Sequence, residues 1–238
     1  MATLLNIETS TSVCSVALTH EGQVIFRREN YEGPSHASCL GGYVQEAIDM
    51  AKHYGFKLDA VAVSCGPGSY TGLRIGVSMA KGLCFGLGIP LIGINTLEIM
   101  TCHVMFREKY PENTLFCPMI DARRMEVYSA IYDLSLNPVK PVSADIIEAD
   151  TYENFLREQS VLFFGNGAAK CRSVLTNPKA LFLDKDINPL ASDMLALAEK
   201  AFRERDFKDV AYFEPFYLKE FVAVSYTHLR AHETDQYL

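Results

Sequence analysis

Apolar residues in the first third of the chain fall in short runs separated by polar turns. Residues 4–7 form one run, 12–19 alternate loosely, and Glu21-Gly22 marks a turn into 24–28, which together predict three strands. The period then changes. Leu40, Tyr43/Val44, Ala47/Ile48 and Ala51 recur at i, i+3/i+4 spacing, predicting a helix over 36–52 with Ser35 as N-cap. A strand over 59–64, a helix over 73–86, a strand over 90–94 and a helix capped by Thr96 and running to 105 follow. Beyond a Pro111-containing break at 109–113 come strands at 115–120 and 125–132, a short helix from Thr151, and a strand at 161–164. Asn166-Gly167 turns into a helix to 175, and Ser192 caps a last helix over 193–205. The pattern is that of an α/β protein.

Composition narrows the function. The 238 residues are 49% apolar and 21% charged without a long single-sign run, enough for one large domain or two lobes. The net charge is −7 with no Lys/Arg cluster, which argues against this chain gripping a nucleic acid by itself. Seven scattered cysteines without a CxxC read as reduced, buried thiols of a cytoplasmic protein. The opening strand lacks a basic leader, and the apolar stretch 75–94 is broken by Lys81, Pro90 and five glycines, so neither a signal peptide nor a membrane span is expected.

The segment Gly66-Pro67-Gly68-Ser69-Tyr70-Thr71-Gly72-Leu73-Arg74-Ile75-Gly76 lies between a predicted strand and a predicted helix, a setting that suits an anion or a close-packed neighbour. It is not a Walker A loop, because Leu73 and Arg74 stand where Lys and a hydroxyl residue are needed. Nor is it a nucleophile elbow, because Ser69 is flanked at two residues by Pro67 and Thr71 instead of glycines. The whole string resembles the GPGSFTGLRIG signature of the bacterial TsaB (YeaZ) family. Leu4-Leu5-Asn6-Ile7-Glu8-Thr9-Ser10-Thr11, Ile120-Asp121-Ala122-Arg123 with Glu126-Val127-Tyr128, and Glu214-Pro215-Phe216-Tyr217-Leu218 resemble further islands of that family in the same order.

The resemblance implies the actin/Hsp70/sugar-kinase (ASKHA) superfold, built from two RNase H-like lobes of which the second is reduced. The expected division is a partner-binding lobe over 1–108, a C-terminal lobe over 109–224, and a non-native or disordered tail over 225–238 that reads like translated adapter sequence. The implied function is a non-catalytic accessory subunit, required with TsaD for threonylcarbamoyl transfer to the tRNA adenosine beside the anticodon. TsaE is expected to join that pair, tRNA to be met only through the complex, and a homodimer is open when the partner is absent. A small-molecule kinase of the same superfold and a glycoprotease-like peptidase are the alternatives.

The candidate site residues follow. Glu8, Thr9, Ser10 and Thr11 occupy the superfold's phosphate-loop position; the hydroxyls either donate to a phosphate or satisfy the turn, leaving ATP or ADP open at the cleft or the complex interface. His36 has Leu40 four residues on, so the His-x-x-x-His metal pair of TsaD is absent and no metal is expected. Asp121, Arg123 and Glu126 read as a structural ion pair or a substrate contact, and Gly165-Asn166-Gly167 as a faint adenosine-loop candidate. The small-residue-rich helices at 36–52 and 73–86 are expected to form a four-helix contact with the same helices of TsaD. The residues assigned to it are Leu40, Gly41, Val44, Ala47, Ile48, Arg74, Gly76, Val77, Ala80, Lys81 and Cys84.

Overall fold

In the computed structural model, which describes residues 2–33 and 35–219, the chain forms two five-stranded mixed sheets. The first contains β1 (Thr3–Glu8), β2 (Cys14–His20), β3 (Gln23–Asn30), β4 (Ala60–Gly66) and β5 (Leu91–Asn95), in the order β3-β2-β1-β4-β5. Helix α1 (His36–His53) connects β3 to β4, α2 (Tyr70–Leu87) connects β4 to β5, and α3 (Thr96–Met105) follows β5. The second sheet contains β6 (Leu115–Asp121), β7 (Glu126–Tyr132), β8 (Pro138–Ile146), β9 (Val161–Phe164) and β10 (Ala180–Phe182), ordered β10-β9-β6-β7-β8. Short helices α4 (Glu153–Leu156) and α5 (Ala168–Cys171) sit where α1 and α2 sit in the first lobe, and α6 (Leu195–Glu204) closes the chain.

The two sheets have one topology. In each, the first strand pairs antiparallel with the second and parallel with the fourth, and the third and fifth form the edges. β1 is buried along its whole length because both of its faces are covered. Leu5 and Ile7 face the layer of α1 and α2, while Leu4 packs with Ala17, Ala62, Ile92 and α6. α3 joins the lobes: Ile99 packs on the first sheet, and Leu97, Met100 and Val104 pack on Phe116, Ile120 and Phe164 of the second.

Several details depart from the sequence reading. The lobe assignment changes beyond Ala191: a 3-10 turn (Ala191–Met194) and α6 cover the first sheet, and Lys208 N donates to Leu91 O at 2.8 Å. The reason is burial, since Ala191, Met194 and Ala198 fill the β1–β5 face that the first lobe leaves bare. α2 starts at Tyr70, three residues early, because the Ser69 side chain accepts from Gly72 N and caps it. Asn95, not Thr96, caps α3 by accepting from Leu97 N at 2.8 Å. Strands β8 and β10 carry no clear alternation: β8 contains Pro138 and Pro141, which an edge strand tolerates, and β10 is only three residues long. The expected tail at 225–238 lies outside the described residues.

Candidate functional site

The carboxyl ends of β1 and β4 bring the first two sequence motifs together. Glu8, Thr9 and Ser10 are fully buried and Thr11 nearly so. The Gly-rich segment covers them. A Cβ on Gly68 would overlap Ser10 O, one on Gly72 would overlap Thr9 O, and one on Gly76 would overlap Thr9 Oγ1. Only glycine lets α2 seat its first turns this closely on the β1–β2 turn. Ser69 N then donates to Ser10 O at 2.6 Å, and Thr9 Oγ1 donates to Gly72 O at 2.8 Å. The glycines are explained by this seam, and the phosphate-loop reading of Thr9 and Ser10 is corrected by it: their hydroxyls are enclosed by their own chain. These residues do not fit a nucleotide phosphate arriving from solvent.

Glu8 is the acidic residue of this turn. Burial pushes its carboxyl from 4.5 to about 7, against opposing hydrogen bonds from Ser10. Its Oε1 accepts from Ser10 N at 2.5 Å, whereas Oε2 is buried without a partner, as are Ser10 Oγ and Ser64 Oγ. In its protonated form the carboxyl donates one O–H to such neighbours.

His36 is buried, and its Nε2–H donates to Thr11 O at 2.7 Å, which ties the start of α1 to the same turn. His103 donates from Nδ1 to Asp193 Oδ2 at 2.7 Å, but among the described residues no serine or cysteine is hydrogen-bonded to its other nitrogen. That pair therefore lacks the nucleophile a hydrolytic triad requires.

The partner-face residues divide into two groups. Leu40, Val44, Ala47, Val77, Ala80 and Cys84 are buried against β1, β2 and β4 in the first-lobe core, and Gly76 lies on Thr9, so they do not form the free flank expected from sequence. The cause is phase: the apolar stripe of each helix faces its own sheet. Ile48 is half-buried at the edge of that core. Lys81 donates to Phe213 O at 2.9 Å and to Ala211 O at 3.2 Å, holding the irregular segment 211–213 against α2. Gly41 and Arg74 are exposed, together with Gly42, Ser78, Gly82, Gly86 and Phe85, a residue 85% exposed. A Cβ on Gly41, Gly42, Gly82 or Gly86 would meet nothing within 4 Å. Sequence periodicity missed Phe85 because an exposed aromatic breaks no helical pattern.

In the second lobe Asp121 pairs with Lys170, not with Arg123, and Glu126 pairs with Lys219. Gly165 and Gly167 lie against Met119, Ile120 and Asp121, so the Gly165-Asn166-Gly167 turn is the second lobe's counterpart of the Gly-rich seam.

Two lobes of identical RNase H-like topology, hinged on a shared helix, define a protein of the ASKHA superfold. Residues 32–226 match the family model described as "TsaD: tRNA N6-adenosine threonylcarbamoyltransferase". The chain is 30% identical to the tRNA threonylcarbamoyladenosine biosynthesis protein TsaB of Escherichia coli, over 92% of this chain and 96% of that one. It is 29% identical to TsaB of Bacillus subtilis over 91% of this chain and 94% of that one. The solved structure of YeaZ from Pseudomonas aeruginosa superposes with a TM-score of 0.76 at 29% identity, covering 92% of this chain and all of that one. The chain belongs to the TsaB (YeaZ) family of tRNA threonylcarbamoyladenosine biosynthesis proteins. Among the described residues no helix is long and apolar enough to cross a membrane.

Proposed function

We propose that this chain is a non-catalytic subunit that pairs with a TsaD-type protein for threonylcarbamoyl transfer to tRNA adenosine. The pairing is placed on the outer faces of α1 and α2. The observation that carries this reading is the set of exposed helical glycines, Gly41 and Gly42 on α1 and Gly82 and Gly86 on α2, with no neighbour within 4 Å, together with the exposed Phe85 next to the α2 pair. Each glycine costs a helix up to about 1 kcal/mol relative to Ala, and nothing inside the molecule recovers that cost. A partner helix whose backbone approaches the glycines, with Phe85 inserted beside it, does. The assignment to TsaD rests on the family's pathway; this chain's own match to the TsaD family model supports choosing a partner of related fold. A TsaE-type ATPase is proposed to join the pair, tRNA to be bound by the assembly in the cytoplasm, and a homodimer through the same face to form when the partner is absent.

The β1–β2 turn enclosed by its own chain and a His103–Asp193 pair with no serine or cysteine bonded to it among the described residues support a scaffold role over a kinase or a peptidase. The test is co-purification with the TsaD homologue of the same organism. Wild type is expected to form a stable pair, while Phe85→Asp keeps its melting temperature and loses the partner. Undiminished pairing of that variant would move the interface elsewhere.

A further inference from the structure

The turn between β6 and β7 carries two adjacent arginines, Arg123 and Arg124, both exposed and both with left-handed backbone, φ 70° and 50°. Two bulky residues in this region are uncommon and each stores strain. The turn is nonetheless tightly held. Ala122 N donates to Glu126 O and Glu126 N to Arg123 O, at 3.1 and 3.2 Å. Lys170 Nζ, from α5, donates at 2.7 Å to both Arg124 O and Glu126 O, and binds Asp121 as well. Asn166 Oδ1 accepts from Asp121 N at 2.9 Å.

The charge arrangement is selective. The two acids of the turn, Asp121 and Glu126, are neutralised by Lys170 and Lys219. Among the described residues neither arginine has an acidic partner within ion-pair distance, so both guanidinium groups are unspent on an otherwise acidic protein.

The surface continues across the lobes. Lys219, which reaches Glu126, is two residues from Tyr217, so their Cα atoms lie within about 7 Å. The Tyr217 ring lies 4.7 Å from the Tyr70 ring at the start of α2, and the Arg74 guanidinium sits 4.4 Å over Tyr70. Tyr70 and Tyr217 are half-exposed and Arg74 is exposed. Arg123 and Arg124, without acidic partners, are thus linked through Lys219 and two residues of chain to a second group in which Arg74 lies over Tyr70 and Tyr70 packs on Tyr217. Guanidinium groups spaced along a surface suit a polyanionic strand more than a single small anion.

We infer that this surface, centred on Arg123 and Arg124 with Tyr70, Arg74 and Tyr217 beside it, contacts the sugar–phosphate strand of RNA. The inference rests on the proposed role in tRNA modification and goes beyond it, since this chain then supplies contacts to the tRNA itself. A net charge of −7 hides the surface in any whole-chain count. Binding by the isolated chain is therefore weak and confined to low salt.

The experiment measures binding of an unmodified tRNA transcript to the purified full chain by fluorescence anisotropy, from about 20 to 200 mM salt. The variants are Arg123→Gln/Arg124→Gln and, separately, Arg74→Gln. Removal of two phosphate contacts is expected to reduce the slope of log K against log salt by about 1.4–1.8 and to weaken binding about tenfold or more at low salt. The melting temperature stays unchanged. Arg74→Gln is expected to weaken binding less, because it removes a single cation. Wild type that fails to bind, or a double variant with the wild-type slope, overturns the inference. ATP competing at the same arginines as effectively as tRNA would overturn the strand assignment and show a nucleotide phosphate site. Pairing with the TsaD homologue is followed separately on the same variants. Lost pairing with unchanged tRNA binding would show a protein interface instead, whereas lost tRNA binding with intact pairing leaves the proposed function standing.

Discussion

Replacing Glu8 by Gln tests the central claim about the β1 turn. The carboxyl is wholly buried, and desolvation lifts it from 4.5 to about 7. Below pH ~4.5 both folded and unfolded chains hold the proton, and the group is neutral toward stability. Between pH ~4.5 and ~7 the unfolded chain releases its proton while the folded chain keeps it, so stability falls as pH rises. A displacement of about 2.5 units at about 1.4 kcal/mol each amounts to roughly 3 kcal/mol lost by pH 8. Gln keeps the oxygen that accepts from Ser10 N and turns an NH₂ toward the unpartnered Ser10 Oγ and Ser64 Oγ. It cannot ionise. Chemical unfolding of wild type and Glu8→Gln at intervals from pH 4.5 to 8.5 should therefore diverge, the variant becoming the more stable above neutrality. For a chain of this size the gap corresponds to roughly 6–12 °C in melting temperature at pH 8. Buried groups common to both proteins, Glu98 among them, cancel in the difference. Parallel stability curves, or a wild type that gains on the variant as pH rises, would show that Glu8 is ionised in the folded state and that its site is not dry.

The remaining expectations use the same contacts. Gly72→Ala or Gly76→Ala forces a methyl into Thr9 and should cost about 1–3 kcal/mol by denaturant titration. Gly82→Ala, with open space around it, should add up to about 1 kcal/mol to the free chain while weakening the pair with TsaD, as read by unfolding and by pull-down. Val77→Arg buries a charge in the first-lobe core and should unfold the chain, seen as loss of the cooperative thermal transition, in contrast to Phe85→Asp. Burial raises Asp145, but hydrogen bonds from Lys140, Ser129, Tyr152 and Ser143 outweigh it and hold the carboxyl below its usual range. Its contribution is present at neutral pH and lost as pH falls, so Asp145→Asn should cost about 2–3 kcal/mol at pH 7 and progressively less in acid, measured by unfolding at each pH.

The strands and helices of the first lobe were readable because each carries a clear period: β1 is an apolar run, and the α1 stripe of Leu40, Val44, Ala47 and Ala51 repeats every three to four residues. The same stripe misled the site reading. Periodicity reports which face is apolar, and an apolar face is satisfied first by its own sheet, so Val44 and Val77 went to the core and the outer faces carry exposed glycines and Phe85. The seam between the Gly-rich segment and Thr9 was half legible. The glycines announced a close approach, but sequence alone left open whether an anion or the chain itself was approached. Ala191 to Ala201 could not be placed from local pattern, because the face they cover is made by β1 and β5, some hundred residues or more earlier. Arg123 and Arg124 were visible as residues, but their freedom depends on Lys170 and Lys219, which only the fold brings to the turn.

The doubled topology shows why the first lobe carries the proposed partner face. The same strand order appears twice, and both lobes seat a Gly-containing turn on the end of their first strand, at Glu8 in one and Asp121 in the other. What differs is the pair of helices between the third, fourth and fifth strands. In the first lobe these are α1 and α2, each 18 residues and hence about 27 Å long. In the second they are α4 and α5, each four residues, about 6 Å. A four-helix contact needs two long helices from each side, with apolar stripes already spent inward and close-approach residues left outward. Only the first lobe meets that requirement. The second lobe, with its helices reduced to single turns, instead presents the strand ends and the β6–β7 turn. Those lie next to the residues that cross from the Gly-rich segment to Glu126. Shortening α4 and α5 therefore leaves the first lobe as the one whose long helices fit the proposed protein partner, while the second presents the β6–β7 turn proposed to meet an RNA strand together with Arg74 of α2.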